Sequence, residues 1–121
     1  MEPGTTSSQI IFTSSGSESN NLAILGLASL SLKKGEIITT PIEHPSVLES
    51  LKRLQGWGWK ITYLKVNREG LIDLKDLENK LNPNVVLVSI IYANNEIGTI
   101  QPIPKISKTI KAFNKSLEIR N

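Results

Sequence analysis

Val85-Val86-Leu87-Val88-Ser89-Ile90-Ile91 is a run of β-branched and aliphatic residues with Ser89 as its only polar member. A strand with one face in water alternates polar and apolar positions. A run without that alternation reads as a strand covered on both faces, as in a parallel sheet between two layers of helices. Working outward, Ile10 to Thr13 and Ile37-Ile38-Thr39-Thr40 read as two further strands, and Trp59 to Val66 as an alternating extended segment. Between them, Leu22 to Leu32 forms a helix with a wide apolar arc suited to a sheet, and Val47, Leu48, Leu51 and Leu54 recur at helical spacing. Leu74, Leu77 and Leu81 mark a third helix, and Ile106, Ile110 and Phe113 a last one. Strand and helix alternate, so the chain is built of βα units joined by right-handed crossovers. The expected fold class is α/β, a three-layer α/β/α arrangement on a mostly parallel sheet.

The punctuation agrees with this division. Lys33-Lys34-Gly35 is expected to stop the first long helix, with the glycine in a left-handed cap. Pro41 closes a strand, Pro45 is tolerated in a first helical turn, and Gln55-Gly56-Trp57-Gly58 ends the second helix. Asn67-Arg68-Glu69-Gly70 is a turn, Asp73 a helix cap, and Asp76 a negative charge in the first turn. Residues 1–9 form a polar N-terminal segment, leaving 10–121 as one domain or one piece of a larger domain.

Composition excludes several functions. The 14 Lys and Arg against 11 Asp and Glu give a net charge of +3 without any basic tract, and Trp57 and Trp59 do not interleave with one. Nucleic-acid binding is therefore not expected. Lys105, Lys108, Lys111 and Lys115 read as a solvated helix face. With no cysteine and a single histidine, the chain has no disulfide, no thiolate nucleophile and no histidine-rich zinc site. No apolar run is long enough to span a bilayer, and the N-terminus lacks a signal core, so a cytoplasmic protein is expected.

Three unusually polar loops each follow a predicted strand: Ser14 to Ser19, Ile42 to Pro45, and Asn94 to Thr99. In a parallel sheet all three meet at the carboxyl-end edge, where ligands bind. The first opens a helix, so the Gly16 and Ser17 amides are natural anion donors, joined by the hydroxyls of Ser15, Ser17 and Ser19. It contains neither a Walker lysine nor GxGxxG. The same residues also suit a helix cap, with Glu18 as its dipole partner. His44 can stack on a ring or exchange protons, or simply satisfy local hydrogen bonds. Asn94 and Asn95 can each donate to a ligand, or form an Asx-type loop with Gly98 in an awkward backbone position. Lys33, Lys34, Lys60 and Lys65 lie at helix ends or on a half-exposed strand, unlike a desolvated Schiff-base amine.

Taken together, Phe12-Thr13-Ser14-Ser15-Gly16-Ser17-Glu18-Ser19-Asn20-Asn21, Ile42-Glu43-His44-Pro45-Ser46-Val47-Leu48 and Ala93-Asn94-Asn95-Glu96-Ile97-Gly98-Thr99-Ile100-Gln101-Pro102 resemble the cysteine desulfurases of the NifS/IscS type, class V pyridoxal-phosphate aminotransferase-like enzymes. Asn67 to Asp73 matches their turn before a helix. The Asn-Asn-Glu-Ile-Gly form favours this branch over class V aminotransferases in general.

The resemblance implies part of a fold-type I large domain that binds pyridoxal 5′-phosphate. Gly16 and Ser17 take the positions that hold the cofactor phosphate, His44 that of the residue stacked on the pyridine ring, with a catalytic role, and Asn95 that of the donor to the ring hydroxyl. Ser15 and Gly16 replace the family's usual Gly-Ala, and Ser17 its Thr. The turn is expected to change, because Ser tolerates positive φ less well than Gly. The family converts L-cysteine to L-alanine and a persulfide on an enzyme cysteine. Its cofactor lysine, ring-nitrogen aspartate and catalytic cysteine belong to segments outside the matched motifs. The expectation is a desulfurase fragment, inactive by itself, whose partners are a second copy or a complementing chain and a sulfur-acceptor or iron-sulfur scaffold protein. The contrasting expectations are a non-enzymatic structural or regulatory fragment, a class V aminotransferase fragment, and a stand-alone phosphate-ester binder. A marginal or self-associating protein is also expected, since the 85–91 run calls for another strand beside it.

Overall fold

The strand buried on both faces is Glu36–Thr39 (β1), not the run at 85–91. In the computed structural model, which describes residues 6–120, β1 lies at the centre of a three-stranded parallel sheet between Lys60–Tyr63 (β2) and Val85–Val88 (β3). All four β1 residues are buried, and the adjacent Ile37 and Ile38 point to opposite sides, as the pleat requires. Ile37 joins Ile24, Ala28, Val47, Leu51, Leu54 and Trp59 beneath helices Gly16–Leu30 (α1) and Pro45–Gly56 (α2). Ile38 joins Leu64, Ile72, Leu77, Leu81 and Ile106 beneath Leu74–Lys80 (α3) and Ile103–Arg120 (α4). Two helices on each face make the three-layer α/β architecture.

β3 is an edge strand, which explains why its burial is only partial. Its ladder steps from Glu36↔Val85 directly to Ile37↔Leu87, so Val86 is an extra, bulged residue and stays 40% exposed. The bulge leans over Gly35: a Cβ built there would lie 2.5 Å from Val86 Cγ2 and 2.8 Å from the Asn84 carbonyl. Gly35 is thus a glycine for space, and it does not have the left-handed conformation expected of a cap.

Two further expectations are corrected. Ile10 to Thr13 is not a strand. It joins no strand ladder among the described residues, Phe12 is 94% exposed, and an extended segment forms a ladder only where a neighbour takes its N–H and C=O groups. Helix α1 ends at Leu30, where Ser31 caps it by donating its N–H to Ala28 O; Leu32 lies beyond, fully exposed. Its apolar arc is covered only along the Ile24 and Ala28 stripe, because α1 packs largely on α2.

The turns follow their residue types. His44, Asp73 and Ser15 cap α2, α3 and α1. Gly58 and Gly70 take positive φ, as a chain reversal there demands. Asp76 accepts from the Lys65 amide at 2.9 Å and pairs with Lys80 at 2.8 Å, tying α3 to the end of β2. The four lysines of α4 are all exposed, and no helix among the described residues is long and apolar enough to cross a membrane. Of the polar N-terminal segment, residues 1–5 lie outside the described residues, and Ser7–Gln9 form one 3-10 turn.

Candidate functional site

At the start of α1 the side chains divide into those that build the turn and those left over. Ser15 Oγ accepts from Glu18 N at 3.1 Å, while Glu18 Oε2 accepts from the amide of Ser14 at 2.9 Å and from its hydroxyl. Those Ser14 hydrogen bonds, hydroxyl first, hold the Glu18 carboxyl below its ordinary pKa. Ser19 donates to Ser15 O at 3.2 Å and bonds Thr13. Ser15 and Glu18 are therefore capping residues, and Ser19 is committed to the same turn. The Gly16 and Ser17 amides and the Ser17 hydroxyl carry no partner among the described residues, and nothing lies within 4 Å of a Cβ built on Gly16. The turn asks no positive φ of Ser15, which sits at φ −162°, ordinary extended backbone.

His44 is a helix cap with an exposed ring. Its Nδ1 accepts from Ser46 N at 3.1 Å and lies 2.8 Å from Ser46 Oγ, capping α2. An accepting Nδ1 places the proton of the neutral ring on Nε2, and the exposed ring remains open to a ligand. Ser46 Oγ also accepts from Asn20 Nδ2 at 2.8 Å, which fixes α1 against the His44 loop.

The third loop separates its two asparagines. Asn94 Oδ1 accepts from Glu96 N and Ile97 N at 2.8 and 2.9 Å, and its Nδ2 donates to Ile42 O at 2.8 Å. Gly98 completes this Asx loop at φ +73°. Asn94 is wholly engaged in structure. The exposed Asn95 amide has no partner among the described residues and is the one free for a ligand.

Two buried polar residues behind the loops were not singled out from the sequence. Glu43, 7% exposed, accepts at the same oxygen, Oε1, from Thr40 Oγ1 at 2.7 Å and Ile91 N at 2.9 Å. Burial raises its carboxyl pKa, and these two donors only partly offset the rise. Gln101 accepts from Ile72 N at 3.1 Å and donates to Gly70 O at 2.6 Å, locking the turn before α3 to the Asn95 loop. The available signals were local: a carboxylate directly before His44, and a glutamine ending the Asn-Asn-Glu-Ile-Gly segment.

Hydrogen bonds thus connect all three loops, through Asn20 to Ser46 and His44, and through Ile42 to Asn94. A cleft of about 510 Å³ beside α1 is lined by Ser17, Asn21, Ser46, Glu49, Ser50, Lys52 and Arg53, so its charged residues are of both signs, two cations and one carboxylate. Neither His44 nor Asn95 lines it; His44 adjoins it through Ser46, and Asn95 stands exposed on its own loop. The donor set fits pyridoxal 5′-phosphate by chemistry: uncommitted amides and a hydroxyl for the phosphate, an imidazole for the ring, an amide for the ring hydroxyl.

Comparison with known proteins gives a consistent result. The chain matches the family of class-V aminotransferases over residues 4–118. It is 51% identical over 111 residues to the cysteine desulfurase IscS of Dictyoglomus turgidum (strain DSM 6724 / Z-1310), an alignment covering 91% of this chain and 28% of that protein. A solved NifS-like protein superposes with a TM-score of 0.87 at 42% identity, covering 93% of this chain and 31% of the other. SspA, solved in complex with cysteine, superposes with a TM-score of 0.76 at 43% identity over 81% of this chain and 28% of its own. The chain therefore spans less than a third of the length of each of these proteins.

Proposed function

The chain belongs to the family of class-V aminotransferases, a pyridoxal-phosphate family it joins at the cysteine desulfurases of the NifS/IscS type, and from this we propose that it forms one wall of a desulfurase cofactor site. Residues 10–121 are part of the large domain of that enzyme. Gly16 and Ser17 bind the cofactor phosphate through their amides and the Ser17 hydroxyl. His44 covers one face of the pyridine ring, held in place by Ser46, and Asn95 donates to the ring hydroxyl. When bound, the cofactor supplies an electron sink for bond cleavage at an amino acid. The whole protein's reaction is the conversion of L-cysteine to L-alanine, with sulfur passed to a cysteine and on to an acceptor or iron-sulfur scaffold protein. These 121 residues contain no cysteine, so the thiol that takes the sulfur is not among them. It comes from further sequence, a second copy being excluded as its source and a complementing chain allowed.

The observation that carries this proposal is the linked set of hydrogen bonds that joins the three loops and leaves the Gly16 and Ser17 donors, the His44 ring and the Asn95 amide uncommitted while Ser15, Glu18, Ser46 and Asn94 are engaged in structure. The test is equilibrium dialysis with pyridoxine 5′-phosphate, which lacks the aldehyde and cannot condense with surface lysines. His44→Ala and Asn95→Ala are each expected to weaken binding about tenfold, the equivalent of one lost contact of ~1.4 kcal/mol. Absence of binding at millimolar ligand refutes the proposal.

A further inference from the structure

We infer that Glu43 is the positioning residue that sets His44 in register with Asn95. The inference rests on the cofactor-site proposal above and adds a residue to it. Glu43 directly precedes His44 and is buried between the loop that follows β1 and the segment that follows β3. Its Oε1 accepts from Thr40 on its own loop and from the backbone N–H of Ile91 on the other. One oxygen thus bridges the two chain segments that carry the two ring-contacting side chains. Asn94 makes the second tie, donating to Ile42 O one residue before Glu43.

This arrangement has a chemical reason. β1 and β3 pair only as far as Ile38↔Val88, with Ser89 N donating to Ile38 O as the last rung. Past that rung the ladder can no longer fix the spacing of the loops. Ile91 N–H then needs an acceptor, and a buried N–H without one is costly. The Glu43 carboxylate supplies it and continues the registration by side chain where the backbone pairing stops. The Gly16 and Ser17 amides are set by α1, which the Ile24 and Ala28 core and the Asn21–Ser50 hydrogen bond hold on α2. Glu43 makes no hydrogen bond to α1 among the described residues, so the clamp acts on the ring contacts more than on the phosphate contacts; Asn20 to Ser46 is the link between α1 and the His44 loop.

Because both donors meet the same oxygen, Glu43→Gln can present its carbonyl to both, whereas Glu43→Ala presents nothing. The experiment measures two ligands, pyridoxine 5′-phosphate and inorganic phosphate, together with amide exchange in the ligand-free chain. Glu43→Ala is expected to weaken pyridoxine 5′-phosphate about tenfold and leave inorganic phosphate within twofold, with the Ile91 amide exchanging at least tenfold faster. Glu43→Gln is expected to restore all three to within about threefold of the parent. Should Glu43→Ala fail to fold, Thr40→Val, which removes one donor and leaves the carboxylate, replaces it, with a threefold loss expected for pyridoxine 5′-phosphate alone. Equal losses for both ligands, or no loss for either, overturn the inference, as does a Gln variant that behaves like Ala. If the parent binds no pyridoxine 5′-phosphate, the cofactor-site proposal fails on its own. Exchange at Ile91, together with the backbone order of Asn95, then decides the clamp: faster exchange and lower order in Glu43→Ala, reversed in Gln, uphold it, and unchanged values overturn it.

Discussion

Replacing Gln101 tests whether the Asn95 loop is held from behind as the structure describes. Gln101 is 2% exposed and fills both halves of its amide: Ile72 N donates to Oε1 at 3.1 Å, and Nε2 donates to Gly70 O at 2.6 Å. Gln101→Leu keeps most of the volume and leaves one buried donor and one buried acceptor without partners. At ~1–3 kcal/mol for each orphaned group, the lost pairing costs about 4 kcal/mol. Added apolar burial returns ~2 kcal/mol, so the net loss is about 2 kcal/mol. For a chain of this size ~4 °C accompanies each kcal/mol, and the expected fall in Tm is roughly 8 °C.

Gln101→Glu gives a sharper test. An ionised carboxylate still accepts from Ile72 N, but it places an oxygen against Gly70 O, where the parent had a donor. Only the protonated acid can donate there, so the folded state raises the pKa of the new carboxyl above its unfolded value near ~4.3. A raised folded pKa gives stability that is full below the unfolded pKa and lost as pH rises through the folded one. The variant should therefore melt closest to the parent near pH 4 and fall progressively below it toward pH 8. Thermal unfolding followed by circular dichroism, parent and variants at each pH, supplies both measurements. A Gln101→Leu protein melting within 2 °C of the parent, or a Gln101→Glu deficit that does not change with pH, would refute the latch.

Gly35→Ala should be destabilised. The new methyl meets Val86 Cγ2 at 2.5 Å and the Asn84 carbonyl at 2.8 Å, costing ~1–3 kcal/mol of overpacking against ~0.4–1 kcal/mol gained by restricting the unfolded chain. Val86→Ala in the same chain should recover part of the loss in urea unfolding; no recovery would show that the bulge is not what excludes a side chain. The exposed Ile10, Ile11 and Phe12, together with the open edge of β3, should make the protein associate as concentration rises. Ile11→Ser with Phe12→Ser should reduce that association in sedimentation velocity, and a parent that stays monomeric throughout the range, with uniformly strong amide protection, would contradict it.

The fold class was legible because it rests on period and punctuation, which are local. Pro45 at the start of α2, Asp73 before α3 and the positive-φ Gly58, Gly70 and Gly98 act within a few residues of their own position. What depended on a neighbour was not legible. The 85–91 run and β1 are both rich in β-branched and aliphatic residues, and only the strand order makes one the edge and the other the centre. Ile10 to Thr13 has strand composition and no ladder partner among the described residues. Gly35 looked like a helix stop because composition cannot report a side chain bulging over it from β3.

The candidate site divides in the same way, and this is why its two asparagines could not be told apart from the sequence. Asn94 and Asn95 offer the same donors and acceptors. The structure distinguishes them by what is already satisfied: Asn94 closes its own Asx loop and reaches Ile42 across the sheet edge, a contact 52 residues away in the chain, while Asn95 retains an open amide. The same test removes Ser15 and Glu18 from the ligand donors, leaves Gly16 and Ser17, and finds in Glu43 and Gln101 two residues whose every contact faces inward. Functional candidacy at this edge is thus a matter of remainder. Residue type nominates a group, the hydrogen bonds it makes to the fold exclude it, and those left unpaired are the groups the cofactor-site proposal assigns to a phosphate and an aromatic ring.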